Sequence, residues 1–480
     1  MKILFVSLGC DKNRVDSEVM LGMLSQRGHE FTDDEEIAEA AVVNTCCFIG
    51  DAKEESINTI IELGEYRKSG KYKALIVTGC LAERYREEVL KEIPEVDRII
   101  GTASVEHIVE ALDSVLAESE DEPDKKDIPD GSAFICNTGD KRVFLDGLDK
   151  KPYGNLKRIQ TTGGQYNYLK IAEGCNKNCT YCVIPKVRGR YRSVPMEELV
   201  ASAKALVEQG VTELILVAQE TTLYGIDLYG EKKLPELLRK LSAIEDLKWI
   251  RIMYCYPEEI TKTLIDTIKE LPKVCNYLDI PIQSGSDHIL KQMGRATNRA
   301  EITERIAQIR EAIPDICIRT TLISGFPGET EEDHKETLEF VKEMKFDRLG
   351  CFAYSQEEET VAGEMPDQIS EEVKEQRRND IMELQQGIAF EAANNRIGQI
   401  VSAVIEGRIT DDDDDDYEGS TYVARTYMDA PDVDGYLFIM NVPYDLMSGQ
   451  FVEVLITGSN DYDLIGELME GEDDEDEFTE

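Results

Sequence analysis

Basic residues are scarce in this chain, with 53 lysines and arginines against 97 aspartates and glutamates and a formal net charge of −44. So acidic a surface repels nucleic acid on average and attracts a basic partner, with a strength that salt reduces. Histidine is scarcer still, at four in 480 residues, which leaves few imidazoles to complete a zinc site. No apolar run approaches the roughly 18 residues that a membrane helix needs. The reading is therefore a globular, cytoplasmic protein. Lys2 to Cys10 superficially has the look of a short signal ending in a lipidated cysteine. Its apolar part is too short for that and reads better as a first buried strand. At 480 residues the chain exceeds one ordinary core, so two to four domains are expected.

Cysteine is not lacking. Twelve in this length do not make a disulfide scaffold, and clustered thiols in a reducing compartment read as metal or redox ligands. Cys175, Cys179 and Cys182, with Tyr181 just before the last, are spaced CxxxCxxC after the apolar stretch Tyr168 to Ala172. Three thiolates so spaced can hold one iron–sulfur cube and leave its fourth iron open. Structural zinc usually takes four tetrahedral ligands, and no second cysteine pair follows here.

The first ~115 residues alternate candidate strands (Ile3–Ser7, Ala41–Asn44, Ala74–Thr78) with helical stretches around Ser17–Gln26, Lys53–Arg67 and Arg84–Ile93, which implies a parallel α/β sheet. A second α/β series has six expected strands: Tyr168–Ala172, Glu213–Val217, Trp249–Tyr254, Tyr277–Pro281, Cys317–Ile323 and Arg348–Phe352. Six strand-plus-helix units suggest a partial (β/α) barrel with chemistry at the carboxyl ends of its strands. After a helix over Glu371–Asn395, five short strands (Ile400–Ile409, Thr421–Tyr427, Tyr436–Met440, Phe451–Thr457, Asp463–Met469) fit a small antiparallel barrel of the OB kind. The expected divisions are 1–116, a linker over 117–160, the barrel over 161–388, the small barrel over 389–469 and an acidic disordered tail over 470–480.

Cys10, Cys46 and Cys80 each follow a candidate strand of the first domain. Carboxyl ends of parallel strands share one sheet edge, where ligands bind in open α/β folds. Three thiols there could cap a second cluster. They could equally be small buried residues, since free cysteine packs as a modest hydrophobe. Cys136, Cys255, Cys275, Cys317 and Cys351 have no such spacing, and four of them read as ordinary buried residues.

The CxxxCxxC segment resembles the signature of the radical S-adenosylmethionine (SAM) superfamily. The runs Ser7-Leu8-Gly9-Cys10-Asp11-Lys12-Asn13-Arg14-Val15-Asp16-Ser17-Glu18, Asn44-Thr45-Cys46 and Thr78-Gly79-Cys80 resemble the amino-terminal motifs of the methylthiotransferase family. This likeness extends over nearly the whole chain, including the small terminal barrel, which that family calls a TRAM domain. It implies two 4Fe–4S clusters, one on Cys175, Cys179 and Cys182 that binds SAM, and an auxiliary, sulfur-carrying one on Cys10, Cys46 and Cys80. It also implies one SAM that methylates a sulfur and another that yields a 5′-deoxyadenosyl radical. That route is needed where a C–H bond is too weakly acidic for any protein base. Cys47 departs from the pattern, standing where relatives usually carry glycine; adjacent side chains of an extended segment point apart, so Cys46 remains the expected ligand.

Candidate SAM contacts follow. Glu220, at a strand end, resembles the superfamily's contact to the SAM amino group. Tyr181 could pack on the adenine or simply fill the loop. Gln283, Ser284 and Gly325 also end strands, where nearby glycines could let the backbone approach SAM, though Thr330 could simply cap the next helix. Arg188, Arg190 and Arg192 could hold a carboxylate or form ordinary ion pairs.

Two branches of the family share this machinery, one acting on an adenosine of transfer RNA and the other on an aspartate of small-subunit ribosomal protein S-twelve. The amino-terminal wording resembles the ribosomal branch. Charge agrees: from Arg396 onward three basic residues (Arg396, Arg408, Arg425) face 24 acidic ones, including Asp411 to Asp416. An RNA-binding barrel should present basic side chains to phosphates, so transfer RNA is the disfavoured partner. An electron donor and a sulfur source are further expected partners. The non-enzymatic alternative is a two-cluster electron carrier, whose clusters would ordinarily be fully cysteine-ligated.

Overall fold

The computed structural model describes residues 1–120, 140–154, 156–409 and 420–469. In the first domain, strands β1 (Lys2–Ser7), β2 (Glu30–Thr32), β3 (Ala40–Thr45), β4 (Ala74–Gly79), β5 (Arg98–Ile100) and β6 (Val143–Phe144) form one sheet. Their order is β2-β1-β3-β4-β5-β6, and every pair is parallel. The unbroken apolar runs of β3 and β4 suit strands covered on both faces. Leu4, Ala41, Val43, Leu75 and Val77 pack on one side of the sheet; Ile3, Ala40, Val42, Ala74 and Ile76 pack on the other.

Four elements differ from the sequence expectation. Helices Asp11–Gln26 and Cys80–Glu92 begin at or directly after a cysteine, earlier than Ser17 and Arg84. The first turn of one, Asp11 to Arg14, is polar and carries no apolar period, and the apolar opening of the other, Cys80 to Ala82, runs straight on from β4. Within 117–160, expected as linker, helix Ile108–Glu120 continues past 116 and β6 joins the first sheet, Val143 opposite Ile99 and Phe144 opposite Ile100. A two-residue strand is too short to show periodicity. The rest of the acidic stretch, with Cys136, lies outside the described residues.

The second domain contains β7 (Tyr166–Lys170), β8 (Ala172–Glu173), β9 (Arg192–Ser193), β10 (Glu213–Val217), β11 (Trp249–Ile252), β12 (Val274–Asp279), β13 (Cys317–Ser324) and β14 (Arg348–Ala353). Six of these form an open parallel sheet in the order β14-β13-β12-β11-β10-β7, while β8 and β9 pair separately. This is the expected partial (β/α)6 barrel. Leu214 and Leu216 point to the large core shared with the helices, whereas Ile215 and Val217 pack with residues of the third domain. Cys255 and Cys351 lie in the first of these cores and Cys275 and Cys317 in the second, so all four are the ordinary buried thiols expected.

The third domain is a closed five-stranded barrel of β15 (Ile400–Ile409), β16 (Ser420–Thr426), β17 (Leu437–Val442), β18 (Phe451–Asn460) and β19 (Asp463–Leu468). It is not wholly antiparallel: β17 and β19 run parallel, because β18 intervenes between them in the chain. Its arginine and acidic groups clamp it to the second domain. Buried Arg425 donates to Glu213 and Glu406, each at 2.7 Å, and is therefore no phosphate ligand. Asp411–Asp416 and the acidic tail lie outside the described residues. Among the described residues no helix is long and apolar enough to cross a membrane.

Candidate active site

Strands β1, β3 and β4 are neighbours in the first sheet, and a cysteine follows each. Cys10 is the N-cap of helix Asp11–Gln26, Cys46 directly follows β3, and Cys80 opens helix Cys80–Glu92. Two glycines let these loops close together. Gly9 has φ +89°, and a Cβ there would stand 2.8 Å from Cys46 Cβ; Gly79 has φ +93°, and a Cβ would stand 2.4 Å from the Thr45 carbonyl oxygen. Only glycine fits both the dihedral and the space. Asn13 ties the loops, its Nδ2 donating to Leu8 O (3.0 Å) and Thr45 O (2.9 Å) while Cys80 Sγ approaches its Oδ1 at 3.9 Å. The three thiols thus lie within electrostatic reach of one another. Burial pushes the Cys46 and Cys80 thiols up, and Cys10 stays exposed. Cys47 instead packs in the apolar layer with Leu4, Ala41 and Val43, near Arg84 and within electrostatic reach of Cys80, with burial pushing its thiol up to about 11.

The second triad sits on the segment that joins β8 to β9. Gly174 (φ +78°) passes so near the Arg190 carbonyl that a Cβ would lie 2.2 Å from it. Backbone N–H groups reach the sulfurs: Lys177 donates to Cys175 Sγ and Ile184 to Cys182 Sγ, both at 3.4 Å. Cys175, Cys179 and Cys182 interact electrostatically, and burial pushes Cys175 up to about 11 and Cys182 up to about 12. Such thiols ionise when iron takes the place of the proton, which couples loading to proton release. Among the described residues no three His, Cys, Asp or Glu side chains are grouped to hold a single metal ion. A cube held by three thiolates keeps its fourth iron open, so the donor sets of the two triads, three cysteines each, fit 4Fe–4S clusters.

Glu220 is fully buried; Thr222 satisfies one carboxylate oxygen through its N–H (3.1 Å) and hydroxyl, while Oε2 has no partner among the described residues. Burial pushes its carboxyl up to about 8, and it lies within electrostatic reach of Cys175. A buried carboxylate oxygen without a donor suits the ammonium group of SAM. Tyr181 stands edge-on to Phe326 at 6.4 Å and packs with the Phe326–Tyr354 cluster, which supports its loop-filling reading. Gln283 takes φ +81° and pairs with β13, and Ser284 is buried. Both glycines are close-packed: a Cβ at Gly325 would meet Lys374 Cγ at 2.3 Å and one at Gly285 would meet Phe340 Cβ at 2.7 Å. Thr330 caps helix Glu331–Met344 in a reciprocal box with Asp333.

Arg188 is spent in ion pairs, to Asp16 at 2.7 Å and Glu173 at 3.3 Å, and Arg192 donates to the Arg188 and Arg190 carbonyls. Arg190 is exposed, and Arg192 Nε has no partner among the described residues. Lys170 completes the buried network, donating to Asp16 (2.5 Å) and Glu173 (2.6 Å), and Glu18 accepts from Arg158 at 2.6 Å. The tail of the first motif, Asp16 to Glu18, therefore docks the first domain onto the second. Around the same junction Lys12 Nζ sits 3.1 Å from the centroid of Tyr254, and Gly50 N–H donates to Ser355 Oγ at 3.3 Å. Sequence reading missed Lys170, Tyr254 and Arg295, which carry no spacing signal of their own. The positive φ of Tyr254, 59°, is legible only in the fold.

Family comparison covers each part of this arrangement. The model of the radical SAM superfamily matches residues 169–341, that of an uncharacterised protein family, UPF0004, residues 2–101, and that of the TRAM domain residues 397–469. The ribosomal protein uS12 methylthiotransferase RimO of Lachnoclostridium phytofermentans is 56% identical over 97% of this chain and 99% of its own. The proteins of that name from Clostridioides difficile and Acetivibrio thermocellus are each 46% identical, over 98% of this chain and 99% and 98% of theirs. Among solved structures, the radical SAM methyltransferase TsrM of Kitasatospora setae, with cobalamin and a [4Fe–4S] cluster bound, superposes with a TM-score of 0.54 at 14% identity, over 75% of this chain and 77% of that one. That likeness concerns the fold alone. At 56% identity over nearly its full length, the chain belongs to the RimO family of radical SAM methylthiotransferases.

Proposed function

We propose that this enzyme adds a methylthio group to the β-carbon of an aspartate in ribosomal protein uS12, with Cys175, Cys179 and Cys182 holding the 4Fe–4S cluster that binds SAM and Cys10, Cys46 and Cys80 holding the auxiliary one. The observation that carries this reading is the pair of all-cysteine triads, on strand-end loops of two domains docked together, in a chain 56% identical to a uS12 methylthiotransferase. When bound, the clusters and SAM supply the sulfur, the methyl group and the one-electron chemistry that exchanges an unactivated C–H bond for a C–S bond. The protein's own residues bind and orient. Glu220 offers its open carboxylate oxygen to the ammonium of SAM. The N–H groups of Lys177 and Ile184 stabilise thiolate charge at Cys175 and Cys182. The buried Asp16–Lys170–Glu173–Arg188 network holds the two loops in fixed relation. A one-electron donor and a sulfur source complete the set of partners, and the cytoplasm, where uS12 is made, is the place of action.

The substrate is tested by mass spectrometry of uS12 and bulk transfer RNA from cells lacking the gene. Loss of a methylthio group from uS12 alone is expected; loss from transfer RNA alone would reassign the substrate. Incubation of the reconstituted protein with SAM and dithionite separates enzyme from electron carrier, since a carrier yields no 5′-deoxyadenosine.

A further inference from the structure

The segment after helix Asp287–Gln292 is stitched to the cysteine loop. Thr180 donates from its N–H to Met293 O and from its hydroxyl to Gln292 O, each at 2.9 Å. Gly294 (φ +71°) comes so close that a Cβ would lie 2.8 Å from Asn178 O. This contact fixes the next residue, Arg295, whose side chain is buried, with the residue 8% exposed. Its Nη2 donates to Pro281 O at 2.8 Å, and its guanidinium lies 4.3 Å from the ring centroid of Tyr256, whose hydroxyl is 4.0 Å from Cys179 Sγ. Nε and Nη1 are buried and have no partner among the described residues.

A guanidinium does not lose its charge at any working pH, and buried N–H groups are costly to leave unsatisfied. None of the described residues supplies the acceptor that would complete it. The groups around Arg295 are Tyr181, Tyr256, Cys179 and Glu258. Glu258 is paired with Lys177 at 3.1 Å and accepts nothing from Arg295, whereas the other three border the cysteine triad, which places the acceptor there. We propose that Arg295 donates hydrogen bonds to the Cys179 corner of the cluster held by Cys175, Cys179 and Cys182, and so raises that cluster's reduction potential. Donors and positive charge at cluster sulfurs stabilise the reduced form, which carries one more negative charge. Arg295 is thus a positioning and tuning residue, and its role rests on the ligand assignment above.

The test is a redox titration of the full-length reconstituted protein by electron paramagnetic resonance, without SAM, for the parent, Arg295→Lys and Arg295→Met. The relevant signal is the one that changes shape when SAM is added afterwards. Arg295→Met should keep the parent's iron and titrate at a more negative potential, with Arg295→Lys in between and the second cluster unmoved. Should the methionine variant fail to load iron, the lysine variant carries the comparison, since it keeps the charge and loses the planar fork. An unchanged potential in an iron-replete variant overturns the proposal. So does an unchanged potential with weakened SAM binding, which would give Arg295 to the carboxylate of SAM. If the SAM-responsive signal survives alanine at Cys175, Cys179 and Cys182, the ligand assignment fails instead.

Discussion

Cys46 and Cys47 are adjacent in the chain and differ in surroundings. Cys46 meets Gly9 and Cys10 at the strand-end loops, whereas Cys47 is fully buried in the apolar layer beneath them. Cys47→Ala should therefore keep the parent's iron and turnover while losing roughly 1–3 kcal/mol of stability to urea; selective loss of the auxiliary cluster would make Cys47 a ligand. Glu220→Gln should weaken SAM binding about 10–100-fold by equilibrium dialysis, the worth of one charge-assisted hydrogen bond, with iron content unchanged. Unaltered affinity would remove Glu220 from the site. Cys175, Cys179 and Cys182 stood out by their spacing, a property of the sequence, whereas Cys10, Cys46 and Cys80 stood out by their places after strands and by likeness to the family's motifs. Arg295 was not legible, since only the folded contact between Gly294 and Asn178 brings it to the thiols.

Helix Glu331–Met344 starts at a capping box in which Thr330 and Asp333 satisfy each other's backbone N–H groups. Burial of Asp333 raises its carboxyl, but hydrogen bonds from Ser286, Thr330 and His288 outweigh it and hold the group at about 2. Because this pKa is depressed, the stabilisation is fully present above the ordinary value near ~4 and is lost as pH falls towards about 2. Thr330→Ala should cost about 1 kcal/mol at neutral pH in urea melts and less at pH values near ~2. A loss of SAM affinity with no loss of stability would instead make Thr330 a ligand contact. Strands β10 and β15 and helix Glu331–Met344 begin and end where their apolar periods do. The two-residue β6 escaped because it is too short for a period, and helix Cys80–Glu92 was found from Arg84 onward but not in its first turn.

Across the whole molecule, three domains meet through buried ion pairs that bind opposite charges from different parts of the chain. Arg188 is the clearest case, reaching from beside the second triad to Asp16 and, by Nη2, to Asn13 Oδ1 in the first domain. Arg188→Met leaves Asp16 and Glu173 short of a partner, and should destabilise the protein by about 3–5 kcal/mol in urea unfolding. A change below ~1 kcal/mol would mean that Lys170 alone neutralises the pair. The order of the three domains could be read from alternation of strands and helices, because each has its own pattern. Their docking could not, since Glu213 meets Arg425, and Asp16 meets Lys170, across spans of chain that no periodicity connects. Two cysteine triads that load independently are tested most directly by iron analysis of the parent and two triple-alanine chains, one at Cys175, Cys179 and Cys182 and the other at Cys10, Cys46 and Cys80. Each variant should retain roughly half of the parent's iron, and only the second should still cleave SAM. Full iron in either variant would contradict the assignment.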